Sequence, residues 1–521
     1  MKGGRNDGGE RGDSFEYKDD GLVGLRELPG FFTALFMNFV HRLKDVFLGN
    51  DFGGENFSWR IIVQVRTYSV ALAFFIIWSV SSLLVQKLDP FGMMKALDSY
   101  SSELVERLAA PFYGSAAQDE IAVVLINERT LESRQTSWPP RYTYYEEVVR
   151  RVLASQPKAV FVDVILKDHR AYDDTLPTAV AALREDIQEL GDAAPPILFA
   201  KMDAAGSSLF REAGVSEVLT AWANTSGAYP LVVTPGISYG ANSALVNAEK
   251  KQEPPPCQNG LNPETAAMAL YRIACDGNNP ACAESASLMS GDALCRPVQV
   301  QWGRMVSPIM QEQSQIEVAG CDMNVSEGAG RFWSFLRITA LALVQALDDD
   351  AQEEGRQRCP YTVTVMEDNL GTEEADRLLK NRIVLIGTNL DGIHDLVKSP
   401  VHGMIPGVYL HAMALDNLMT WGRGHYSTSK NEFPILIALG ALTALAVSIL
   451  LRSRPRRVRL WLHFLAIFMV LVPSLVLYFV FRQPPLDWLG LFILVELILH
   501  LPHWKSQDRG GVVELSEGGK G

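Results

Sequence analysis

The chain has no HExxH zinc-protease signature and no Walker-type phosphate loop. Two motifs whose spacing by itself would announce a metallo-hydrolase or a nucleotide cradle are therefore missing. It also lacks any CxxC pair: Cys275 and Cys282 stand seven residues apart, so the ligand spacing of a structural zinc site is absent. No metal and no cofactor are expected. There is no basic domain either. The formal charge is −13 over 521 residues, which removes nucleic acid as the expected partner. No internal repeat is visible. Cysteine does not occur outside residues 257–359.

What is present is clustered hydrophobicity. Four long apolar runs stand out: Tyr68 to Val85, Phe433 to Leu451, Leu460 to Phe481 and Leu486 to Leu501. A membrane helix needs about 20 mostly apolar residues, so these are read as four spans. The fourth carries Asp487 and Glu496, and ionisable groups at membrane depth are costly. The first run lies too far from the start for a cleaved signal peptide and is read as an anchor. Between the second and third spans, Arg452 to Arg459 holds five arginines in eight residues, a cytoplasmic marker. Orientation follows: both ends inside, and the region between the first and second spans outside. Cysteine usage agrees. Cys257, Cys275, Cys282, Cys295, Cys321 and Cys359 all fall in that outside region, as disulfides in an oxidising compartment would. The short Cys275–Cys282 loop is the one pairing favoured.

The resulting organisation is a disordered cytoplasmic tail at 1–29 and an amphipathic helix at 30–49. That helix has Phe32, Phe36, Phe39, Leu43 and Phe47 on one face, suited to a membrane surface or a partner. A first span at 60–87 precedes an extracytoplasmic domain at 88–432 with an insertion at about 240–360. Spans at 433–452, 460–481 and 485–502 then lead to a cytoplasmic tail at 503–521. The outside domain reads as α/β: a mixed sheet flanked by helices, with a disulfide-rich insertion. Ile121–Ile126, Ala159–Ile165, Ile197–Ala200 and Ile383–Gly387 are continuous apolar runs, the pattern of parallel strands buried on both faces. Helices are expected after Tyr142, at Arg337 to Asp349, and after Pro406. Val298–Trp302 and Tyr361–Met366 alternate instead, predicting strands with one wet face.

Three stretches resemble the type-2 CHASE domain, a bacterial extracytoplasmic sensory module. Ile121 to Leu153 has a strand, the acidic Glu128 and a Trp-Pro-x-Arg turn at Trp138, Pro139 and Arg141. "PKAVFVDVIL" places Asp163 inside the next strand, and Asn381 continues through "IPGVYLHAMALDNLM". The resemblance implies one span before the module and three after it. It also implies a following output domain, in place of which stands "HWKSQDRGGVVELSEGGKG"; output is expected from a separate protein.

Parallel sheets put ligands beyond the carboxyl ends of their strands. The candidate ligand-binding residues are accordingly Asn127, Glu128, Asp163, Thr388, Asn389, Asp391, His394 and Asp395. They supply acceptors and a histidine but no activated nucleophile, so catalytic residues are not assigned and an enzyme is not expected. Asp163 has a structural reading beside the functional one: a buried pair, for instance with Arg141. His411 reads as a core histidine on the face of Val408, Leu415 and Leu418. The favoured function is an integral membrane sensory or interaction protein of a bacterial inner membrane, its main domain periplasmic. It would bind a small molecule or a protein partner, as a monomer or a homo-oligomer. A docking subunit of an envelope complex is the alternative, and an extracytoplasmic enzyme the second.

Overall fold

The computed structural model describes residues 113–201, 208–220, 228–233, 263–277, 279–303, 361–390 and 395–426. Single positions from 103 to 110 and at 307, 309, 310, 478 and 482 are described as well. The strands are β1 (Ile121–Asn127), β2 (Ala159–Val162), β3 (Ile197–Lys201), β4 (Ser216–Leu219) and β5 (Ala228–Tyr229). They continue with β6 (Val298–Gln299), β7 (Val363–Met366), β8 (Ile383–Asn389), β9 (Leu396–Ser399) and β10 (Gly403–Pro406). The α-helices of six or more residues among the described residues are α1 (Glu128–Ser133), α2 (Tyr142–Ala154), α3 (Leu176–Leu190), α4 (Ala266–Ala274), α5 (Glu373–Leu379) and α6 (Val408–Trp421).

One sheet organises the domain, in the order β4-β3-β2-β8-β1-β7. Every neighbouring pair in it is parallel. Parallel strands need both faces covered, and strand alternation shows how this is done. Ile121, Val123 and Leu125 of β1 pack with Phe161 and Leu385 beneath α4 and α6. The intervening Ala122, Val124 and Ile126 pack with Val162 and Ile386 beneath α2, α3 and α5. Burying each of the Val, Leu, Ile and Phe side chains among them stabilises the fold by about 1.5–3 kcal/mol. Two helix starts are specified locally. Asn127 caps α1 through the Thr130 amide, and Thr130 returns the bond in a capping box. Thr372 caps α5 through the Ala375 amide. Helix α6 is buried from Val408 through Met419, as expected of a helix apolar nearly all round.

Several sequence expectations are corrected. The main sheet is wholly parallel rather than mixed; among the described residues antiparallel pairing occurs in the ribbons β5–β6 and β9–β10 and at one bridge, Val232 to Glu264. The alternating stretches have no wet face. Thr362 and Thr364 are buried, and the Thr364 hydroxyl meets Tyr409 Oη at 2.8 Å. Gln299 and Gln301 are buried too; Gln299 donates to Glu106 at 2.9 Å. Polar alternation here matches polar partners, not water. Gly387 does not end its strand, because β8 runs on to Asn389. The stretch read as an insertion includes α4, which packs on α6 and β2 within the core.

Cys275 and Cys282 are joined as expected, with Cα atoms 5.8 Å apart. Cys295 is disulfide-bonded as well, while Cys257, Cys321 and Cys359 lie outside the described residues. Among the described residues no helix is long and apolar enough to cross a membrane. Apart from Tyr478 in the third, the four expected spans lie outside those residues, as do the amphipathic helix at 30–49 and the helix at Arg337 to Asp349.

Candidate functional site

The carboxyl ends of β1, β8 and β2 lie side by side. Asn127 pairs with Asn389 in register, and Ile126 with Thr388. On the other side of β8, Val162 pairs with Ile386. Asp163 follows at once, its amide donating to the Ile386 carbonyl at 2.8 Å. The period of two decides where its side chain goes. Ala159 and Phe161 face the α6 layer, and Asp163 follows them to that side.

There its Oδ2 lies 3.4 Å from Nε2 of His411, longer than a tight hydrogen bond. The two side chains are 9% and 5% exposed. The opposite ring nitrogen, Nδ1, lies 2.7 Å from Tyr229 Oη. Tyr229 Oη in turn accepts the Ala267 amide at 3.1 Å, from the first turn of α4. Burial pushes the Tyr229 phenol up, so it keeps its proton. That proton is available to Nδ1, which leaves Nε2 to carry hydrogen towards Asp163. Edge-on contacts from Phe161 and Tyr229, with centroids 5.4 and 5.5 Å away, hold the imidazole between them.

Asp395 completes the cluster. Its carbonyl accepts the Gly407 amide at 2.8 Å, which sets it against the start of α6. A Cβ at Gly407 would stand 2.5 Å from Asp395 Oδ1, so glycine makes room for the carboxyl. Thr388 Oγ1 donates to Oδ2 at 3.4 Å. Burial pushes this carboxyl up to about 7, the nearby Asp163 charge adds to the effect, and His411 opposes it. A helix N-terminus favours a carboxylate by about 0.3–1 kcal/mol at exposed sites; here desolvation and the second acid outweigh it.

Of the predicted residues, Asp163, Thr388 and Asp395 therefore converge. Asn127 and Glu128 do not join them: Asn127 caps α1, and Glu128 is exposed in the first turn of that helix. Asn389 is exposed at the end of β8. Asp391 and His394 lie outside the described residues. Arg141 is not the partner of Asp163; it stands exposed at the start of α2. Tyr229 escaped the sequence reading because it belongs to a two-residue strand with no periodicity of its own. One motif escaped it too: Gly236, Ile237, Ser238, Tyr239 and Gly240 have the G-x-S-x-G spacing, and they lie outside the described residues. Among the described residues no cluster of three or more His, Cys, Asp or Glu is placed to hold a metal ion.

The arrangement suits recognition. Two acids and a threonine hydroxyl can accept hydrogen bonds from a cationic or polyhydroxyl group, the His411 Nε2–H can donate one, and Tyr229 is held as a neutral phenol and supplies no nucleophile. The family model of the CHASE2 domain matches residues 70–451, well over half of the chain. No curated protein and no solved structure matches.

Proposed function

We propose, for a chain that belongs to the CHASE2 domain family, that the edge of its parallel sheet is the place where a signal is received. CHASE2 domains are extracellular sensory domains rather than catalytic ones. In this reading the domain binds a polar solute or a partner's polar side chains through Asp163, Asp395, Thr388 and His411. It passes its state through membrane spans to an output on the cytoplasmic side. The observation that carries the reading is the meeting of two acids and a histidine at the ends of β2 and β8, where parallel sheets receive ligands.

A second feature supports the membrane placement. Tyr478 and Arg482, at the expected outer end of the third span, touch the domain at 421–426. Tyr478 packs with Val105, Ala109 and Tyr426, and Arg482 donates to the Gly424 carbonyl at 2.8 Å. Residues just beyond the first expected span, just before the second and at the end of the third thus meet on one patch. That supports placing these three span ends on the same side of the membrane as the domain; the arginine run at 452–459 is what argues for the outer side.

The test is purification of the full-length protein in mild detergent, with mass spectrometry of bound small molecules and proteins. A species retained by the native protein and lost from a folded Asp163→Asn/Asp395→Asn variant supports the reading. Identical retention by both refutes it.

A further inference from the structure

Helix α6 carries another buried acid, Asp416, five residues beyond His411. It is 2% exposed. Its Oδ1 accepts from Tyr113 Oη, and its Oδ2 has no hydrogen-bond partner among the described residues. The same face of α6 holds two more polar side chains. Asn417 Nδ2 donates to Tyr113 Oη at 2.9 Å and to the Gln301 carbonyl at 3.0 Å. Asn417 Oδ1 accepts the Gln301 amide at 2.7 Å. Thr420 Oγ1 donates to Ser115 Oγ at 2.8 Å. One polar net therefore ties α6 both to the stretch at Gln301 and to the segment Tyr113–Ser115.

Among the described residues this net has no counter-charge. The groups acting on the Asp416 carboxyl are the hydroxyls of Tyr113, Ser115 and Thr420. Among the described residues the titratable groups facing it are Tyr113 and Tyr361, with Asp119 acting on Tyr361 from beyond. None is basic. Ionisation would leave a carboxylate in a dry interior with hydroxyl donors alone, and a buried unpaired charge is costly enough to favour the neutral acid. Burial accordingly pushes the carboxyl up to about 7.

The net also opens onto the membrane-facing patch. The Tyr113 ring meets Trp421 at 5.4 Å, Trp421 meets Tyr426 at 4.8 Å, and Tyr426 meets Tyr478 at 5.0 Å. The Arg482 guanidinium lies over Trp421 at 5.7 Å. The oxygen that bonds Asp416 thus belongs to the first ring of a chain that ends at the expected third span.

We propose that Asp416 is the proton-binding group of a joint at the base of the domain, closed when the carboxyl is neutral and loosened when it ionises. The signal it reads is the proton concentration outside the membrane. The proposal takes its signalling meaning from the membrane placement above but needs no ligand at the sheet edge.

The test is hydrogen–deuterium exchange of the full-length protein in detergent at pH 6 and pH 8, corrected for the intrinsic pH dependence of exchange. Peptides covering 113–118 and 416–426 should exchange about tenfold faster at pH 8, the change in ionised fraction one pH unit either side of 7. The peptide covering α2 should not change. Asp416→Asn should abolish the difference. Tyr113→Phe, which removes a donor to the carboxylate, should move the midpoint to higher pH. Asp395→Asn, which alters the other group held near 7, should leave the response intact. A native protein without the difference overturns the proposal, as does its survival in Asp416→Asn or its loss in Asp395→Asn. If Asp416→Asn does not fold, an unmoved midpoint in Tyr113→Phe overturns it.

Discussion

Replacing Gly387 with alanine should disturb stability and the candidate site together, and the structure gives the size of the effect. Gly387 lies inside β8, on the face covered by α6. A methyl group there would stand 2.5 Å from Val408 Cβ, 2.7 Å from its Cγ1 and 3.0 Å from its Cγ2. Carbon atoms pack at about 3.5–4.0 Å, so the first turn of α6 must withdraw by about 1 Å. A rotamer change cannot relieve the contact, because the nearest atom is the Cβ of a fully buried valine. Overpacking of this kind costs about 1–3 kcal/mol. His411 rides on the same helix and would be drawn from Asp163, already 3.4 Å away. Thermal unfolding of the full-length protein in detergent should show a lower midpoint for Gly387→Ala. The double variant Gly387→Ala/Val408→Gly should be more stable than the sum of its parts, by about 1 kcal/mol or more. An unchanged midpoint in the single variant, or strict additivity in the double, would refute the steric argument.

Asp163→Ala should destabilise by about 1–3 kcal/mol, the cost of leaving a buried imidazole nitrogen unsatisfied, whereas Asp163→Asn should cost less; unfolding at pH 7 compares them, and equal losses contradict the pairing with His411. Asp395 is held near 7 instead of 3.8, so the folded chain binds its proton more tightly than the unfolded chain. Its contribution therefore declines as pH rises from about 4 through 7. Asp395→Asn has no proton to lose and should gain in melting midpoint relative to the native protein between pH 5 and pH 8; a constant difference contradicts this. Opening the Cys275–Cys282 bridge with Cys275→Ser/Cys282→Ser should cost about 2.5 kcal/mol on chain-entropy grounds for so short a loop, read as a lower unfolding midpoint, and no change would count against its stabilising role. Ser99→Cys and Ser453→Cys should react with membrane-impermeant reagents from opposite sides of the membrane; labelling of both from outside would overturn the orientation.

Continuous apolar runs betrayed β1, β2, β3 and β8 because a strand buried on both faces has no room for polar residues. The stripe after Tyr142 and the run after Pro406 likewise revealed α2 and α6. Asp163, Thr388 and Asp395 were legible as candidates, the first as an acid inside an apolar run and the other two as polar residues in the stretch that follows one. Which of the polar residues there would meet was not legible. Asn127 and Asp163 follow similar runs, yet the first caps its own helix while the second faces α6. That difference depends on strand order, with β8 inserted between β1 and β2, and order is set by contacts between residues hundreds of positions apart. Alternation likewise specified period but not environment: Thr364 and Gln299 look solvent-facing until Tyr409 and Glu106 are brought against them. By itself, then, the sequence determined the α/β class and about where its strands end, and it favoured the Cys275–Cys282 pairing without fixing it, all consequences of local pattern and short separation. Only the tertiary structure decided that His411 joins Asp163 and that Asp416 lies dry beside Tyr113, because burial and partnership belong to packing between elements rather than to any one segment.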